Sequence, residues 1–197
     1  MDENTISDIL YSYVKDKDNF LGIYTKHNFQ NVDFEKYKYC SLVLFIDNIS
    51  MNLGHWCVIT KIENNIYFLD SFSLHPEKYG IDLKKITNSK KYRFFYLTQR
   101  TQNDQTTSCG GHSIYYIINT IKCKYKIFCF VNSFTQNFSK TNFLKNENFI
   151  VEYLSKTFPK YVNEKNCEKL FCNSQFIINR QECLKSLCNI SIKARRV

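Results

Sequence analysis

The stretch QTTSCGGHSIYYIINTI, residues 105 to 121, decides how the rest of the chain is read. A polar loop ends at Ser108, a cysteine and two glycines follow, and Ile114, Ile117, Ile118 and Ile121 then recur at helical spacing. The pattern predicts a helix from about Cys109 to Lys122, with Cys109 at its first turn. Unpaired backbone N–H groups and the positive end of the helix dipole would favour a thiolate there, bringing a thiol down from about 8.5 towards neutrality. The chain has only five glycines, and Gly110 and Gly111 directly follow this cysteine. Glycine belongs where backbone approaches something closely, so the pair would clear side chains from the path of an incoming group. Another glycine, Gly54, precedes a histidine in LGHWCVI.

Working outward, residues 4 to 17 place Ile6, Ile9, Leu10 and Val14 on one helical stripe, with Asn4 as a candidate cap. Residues 39 to 47, YCSLVLFID, form an apolar run of strand length, rich enough to be buried on both faces. Residues 55 to 62 and 65 to 72 flank Glu63 and Asn64 and read as a β-hairpin. Residues 81 to 90 read as a short surface helix or turn, 92 to 98 as a strand, and 147 to 157 as a helix stopped by Pro159. Strands gather mid-chain and helices lie towards the ends, which implies an α+β fold: a central mixed sheet of about five strands flanked by helices.

The 197 residues, 44% hydrophobic, fit one ordinary globular core without repeats or linkers. The opening MDENTISDIL is acidic and polar, unlike a secretory signal, and no apolar run approaches the roughly 20 residues that cross a bilayer. Nine cysteines, an odd number, are expected as reduced thiols, with Cys40, Cys57, Cys123 and Cys129 as small apolar fillers. The net charge of +9 suits an acidic partner, nucleic acid foremost, or equally a solvated lysine-rich surface.

A cysteine nucleophile needs a base, and the base needs something to orient it. His55 opens a strand after Gly54, and Asp70 closes the paired strand in YFLDSF. A tight turn near Glu63 and Asn64 would bring the two together as cross-strand neighbours within reach of a carboxylate–imidazole hydrogen bond. The loop TQRTQNDQTTSCG adds Gln99, Gln102 and Gln105, any of which could point a carboxamide N–H at a developing oxyanion beside the backbone N–H of Cys109.

GHW opening a strand, an acidic residue closing the next, and Q…SCGG opening a helix together resemble the adenovirus-type maturation proteases. These belong to the wider papain-like group that includes the ubiquitin-like-protein-specific proteases. FLGIYTKHNFQ (20–30) and NENFIVEYLSKTFPKYV (146–162) are similar to their N-terminal segment and C-terminal helix. The resemblance implies a peptidase domain over residues 1–163, with the order His…Asp…Gln…Cys. The remaining residues, 164–197, depart from that family and are expected as a basic, cysteine-rich extension packed on the same domain.

The resemblance further implies a role for each site residue. Cys109 would be the nucleophile, His55 the general base and acid, Asp70 its orienting partner and Gln102 the oxyanion donor, with Gln105 as fallback. Asp70 stands where adenovirus enzymes usually carry glutamate. Trp56, with Gly54 and Gly110, would line a narrow substrate cleft that favours glycine at the cleaved bond. The implied substrates are capsid or core precursor polypeptides, cleaved in the virion and the infected cell, in nucleus or cytoplasm, without secretion or membrane attachment.

No cofactor is needed for such chemistry. Family members are stimulated by DNA and by a short peptide joined through a disulfide, but SKKYRFFYLTQRT (89–101) has no cysteine to receive that peptide. DNA stimulation stays open, and phosphate contacts would make it salt-dependent. Cys167, Cys172, Cys183 and Cys188 follow a C-x4-C-x10-C-x4-C pattern that suits buried thiols better than zinc, because cysteines five apart do not share a helix face. Two rival functions remain: a ubiquitin-like-protein deconjugase, and a non-enzymatic basic DNA-binding virion protein.

Overall fold

Alternation along the predicted hairpin builds two cores back to back. In the computed structural model, which describes residues 1–14, 19–48, 53–83, 91–104 and 106–162, β2 (Tyr39–Asn48) pairs antiparallel with β3 (Leu53–Ile62). Cys40, Leu42, Leu44, Cys57 and Ile59 join one cluster with Phe29, Phe34 and Ile81. Val43, Trp56 and Val58 join the other, which the helices complete. Both clusters are buried, so the strands are apolar almost throughout, as the run 39–47 predicted. Each fully buried aliphatic side chain contributes about 2 kcal/mol of hydrophobic stabilisation.

The fold is α+β with a five-stranded mixed sheet and four α-helices among the described residues. β1 (Phe20–Thr25) runs parallel to β2, β4 (Asn65–Leu69) antiparallel to β3, and β5 (Arg93–Tyr96) parallel to β4, in the order β1-β2-β3-β4-β5. The hairpin turns at Glu63 (φ 53°) and Asn64, where the sequence placed it. α2 (Cys109–Lys122) coincides with the predicted helix and packs on β3, burying Ile114, Ile117 and Ile118 completely. α1 (Glu3–Tyr13) packs against α2 through Ile6, Ile9 and Leu10.

Several expectations are corrected. Asp2, not Asn4, caps α1 by accepting a 2.8 Å hydrogen bond from Thr5 N–H, because the helix begins at Glu3. The last helix, α4 (Phe143–Thr157), starts four residues before the predicted 147, where Asn142 accepts from Lys145 N–H. β1 and α3 (Ile127–Asn137) were not foreseen. Cys123 and Cys129 are not separate thiols but form a disulfide. Lys124 (φ 49°) and Tyr125 (φ 57°) turn the chain sharply after α2 and bring the two cysteine Cα atoms to 5.5 Å. The extension 164–197, with Cys167, Cys172, Cys183 and Cys188, lies outside the described residues, as do 84–90 of the predicted 81–90 turn. No helix among the described residues is long and apolar enough to cross a membrane.

Candidate active site

His55 and Asp70 are held by the hairpin. The last β3–β4 pair before the site is Val58 with Leu69, so one register step further sets Asp70 opposite Cys57, diagonal to His55. The imidazole spans that diagonal: His55 Nε2 and Asp70 Oδ1 are 2.7 Å apart. A carboxylate only accepts, so Nε2 carries the proton and donates it, and Nδ1 remains as the basic nitrogen. Asp70 is saturated. Oδ1 also accepts from Phe72 N–H at 3.0 Å, and Oδ2 accepts from Leu74 N–H and the Tyr79 hydroxyl, both at 2.9 Å. The imidazole stacks on Phe72 and Tyr79, with ring centroids 4.9 and 5.7 Å away. Phe72, Leu74 and Tyr79 were not singled out by sequence, since each acts through a loop closure that no local pattern encodes.

Cys109 heads α2, within the influence of the His55 imidazole. Ser108, at the N-cap, makes no capping bond; its hydroxyl lies 3.2 Å from His112 Nδ1 instead. Burial pushes the Cys109 thiol up, but the hydrogen bond and charge of His55 and a hydrogen bond from the Trp56 backbone outweigh it, and its pKa is lowered. For His55, burial opposes the charged form, whereas the sulfurs of Cys57 and Cys109 and the carboxylate of Asp70 favour it, and its pKa is raised. Burial pushes Cys57 up to about 12, so it is a neutral thiol at ordinary pH. A neutral sulfur brings no charge to the imidazole, so at ordinary pH the support for imidazolium comes from Asp70 and Cys109 rather than from Cys57. The pair therefore tends towards thiolate–imidazolium. Cys109 and His55 keep 6% and 7% of their surfaces exposed, whereas Cys57 keeps 0%.

Gln102 is 1% exposed and doubly tethered. Its Oε1 accepts a 2.6 Å hydrogen bond from the Ser71 hydroxyl, and its Nε2 donates to Thr106 O at 2.8 Å. The carboxamide thus joins the segment carrying Asp70 to the loop that leads into Cys109. Glu147 of α4 fixes the same loop by accepting from Asn103 N–H at 3.0 Å and the Thr106 hydroxyl at 2.8 Å. Gln99 instead donates to Phe138 O, and Gln105 lies outside the described residues.

The glycines have more local reasons than a clear path. A Cβ at Gly54 would stand 2.1 Å from the Phe45 ring, which itself packs on Trp56 with centroids 4.5 Å apart. A Cβ at Gly110 would come within 3.0 Å of Ile6 and Met1, so the room at Gly110 is filled by α1 and the N-terminal residue Met1. Trp56 is 7% exposed and its Nε1–H donates to Met1 O at 3.1 Å.

His55, Cys57 and Asp70 could each offer a metal ligand atom, all within 4.8 Å of one another. His55 and Asp70 are bonded directly to each other, an arrangement that orients a base rather than leaving space between ligands. The chain matches no protein-family model and no curated protein.

Proposed function

We propose that the chain is a cysteine endopeptidase. The observation that carries this reading is the 2.7 Å Asp70–His55 hydrogen bond beside a cysteine at the first turn of a helix, whose thiol that same imidazole draws down. A structural cysteine needs no imidazole, and a structural histidine needs no carboxylate with all its other acceptor sites filled.

The chemistry follows from the atoms. Cys109 thiolate attacks a peptide carbonyl carbon, forming a C–S bond while the carbonyl electrons move to oxygen. The Cys109 backbone N–H, which has no partner further back in α2, and the second Nε2–H of Gln102 are the donors available to that oxyanion. His55 gives a proton to the departing amine as the C–N bond breaks. It then takes a proton from the water that attacks the thioester, the C–S bond breaks, and the acyl group leaves as the acid while the thiolate–imidazolium pair is restored.

The substrate reading rests on the resemblance to adenovirus-type maturation proteases: capsid or core precursor polypeptides, cut in the virion or infected cell. The charge of +9 supports stimulation by DNA, which would weaken with salt. The test is to incubate the parent protein and Cys109→Ala with the co-encoded capsid precursor, with and without DNA, and follow product by mass spectrometry. Cleavage by the parent alone supports the assignment. Equal cleavage by both ends it, and cleavage of a ubiquitin-like fusion in place of the precursor reassigns the substrate.

A further inference from the structure

We propose that Ser71 is a positioning residue: its hydroxyl holds the Gln102 carboxamide in the orientation that presents an N–H to the oxyanion. The inference rests on the peptidase reading above and adds to it a residue that the triad does not contain.

Ser71 directly follows Asp70 and is 1% exposed. Its two polar ends do different things. Its backbone carbonyl accepts from Thr101 N–H at 2.9 Å and from Gln102 N–H at 3.1 Å, which pins the loop's backbone to the hairpin. Its hydroxyl donates to Gln102 Oε1 at 2.6 Å and so fixes the side chain. At the amide's other end, Thr106 O can only accept, so Nε2 must face it. A flipped amide would set Oε1 against that carbonyl at 2.8 Å, two acceptors without a proton between them. Thr106 therefore selects which end is nitrogen, and Ser71 supplies the second point that keeps the plane from rotating. One Nε2 hydrogen is spent on Thr106; the other takes its direction from the plane these two contacts define.

Removing the hydroxyl leaves a buried carbonyl oxygen without its donor and the amide on one tether. The backbone bonds of residue 71 stay, so the loop itself is kept. The consequence is confined to reactions that build an oxyanion, which gives a clean separation. Alkylation of Cys109 by iodoacetamide displaces iodide without forming one, whereas peptide hydrolysis and the capture of a peptide aldehyde both form a tetrahedral oxygen.

The test measures Ser71→Ala beside the parent, Cys109→Ala, Gln102→Ala and the Ser71→Ala/Gln102→Ala double variant. The expected result is a kcat about tenfold lower in Ser71→Ala with KM unchanged and aldehyde affinity falling in step. The alkylation rate and its pH profile should be unaltered. The double variant should be no slower than Gln102→Ala, since a group acting through Gln102 has nothing left to position. Full kcat in Ser71→Ala, a matching loss in alkylation, or a double variant slower by the whole single-variant factor overturns the role of Ser71 while the peptidase reading stands. A parent that cleaves no better than Cys109→Ala overturns both.

Discussion

Two thiols flank one imidazole, and the protein treats them in opposite ways. Cys57 on β3 and Cys109 on α2 are both buried beside His55, yet Cys57 is pushed up to about 12 while Cys109 is lowered. Burial raises both, and His55 works downward on both. The difference lies in what else each sulfur meets. Cys57 sits mid-strand opposite Asp70, whose negative charge repels a second anion. Cys109 meets the imidazole from a helix start and receives a further hydrogen bond from the Trp56 backbone. The neighbours each sulfur meets, not its depth of burial, set which one can react. The carboxylate that supports His55 adds to the burial that keeps Cys57 neutral.

The widest expected gap is in reactivity. Limited iodoacetamide at pH 8 should modify Cys109 and leave Cys57 untouched until the protein unfolds, read by peptide mapping. Cys109→Ala should lose that fast phase and lower peptide turnover by about a thousandfold or more. Equal labelling of the two sulfurs would erase the contrast. Gln102→Ala comes next, with turnover falling by about a hundredfold while the labelling ratio is kept, because alkylation does not draw on an oxyanion donor.

Asp70→Asn probes the origin of the asymmetry and should lower kcat by about tenfold to a hundredfold, the loss of one charged hydrogen-bond partner. Losing the carboxylate removes support for imidazolium, so the Cys109 thiolate weakens and its alkylation profile moves to higher pH. Stability should follow the same charges. Asp70 is depressed below 3.8: burial opposes its charge, but His55 and the Leu74 and Phe72 N–H groups outweigh it. Its contribution is therefore present above 3.8 and lost as pH falls through the lower folded value. His55 is raised above 6.5, so its contribution is full below 6.5 and lost as pH rises through the higher folded value. Urea unfolding should show the parent's advantage over Asp70→Asn greatest between those limits and smaller on either side. A gap that does not vary with pH would detach Asp70 from His55.

How much of this was legible depended on whether the cause was local. α2 and its leading cysteine were readable because a 3.6-residue period and two glycines lie in one stretch. The β3–β4 hairpin was readable from its turn, and with it the meeting of His55 and Asp70, although the pairing runs along a diagonal that only the register reveals. α3 was hidden because IFCFVNSFTQN is rich in aromatic and β-branched residues, which favour strands until tertiary packing overrides them. The Cys123–Cys129 bond was hidden because it depends on left-handed backbone at Lys124 and Tyr125, where no glycine signals it. Tyr79 and Ser71 were invisible for a related reason. Their partners, Asp70 and Gln102, are 9 and 31 residues away, and hydrogen bonds of that kind leave no periodicity.

The smallest effect is the sharpest check on the comparison. Cys57→Ala deletes one buried sulfur but leaves Asp70, its backbone donors and the His55 contact in place. If Cys57 is held neutral and outside the chemistry, turnover should stay within about twofold to threefold of the parent, and stability should fall by about 1 kcal/mol for the small void. The Cys109 alkylation profile should hold its position, because a neutral thiol contributes no charge to His55. A loss as large as that of Asp70→Asn would mean that both sulfurs share the proton on the imidazole. The opposite titration of the two thiols would then be a property of the cluster rather than of each sulfur's own neighbours.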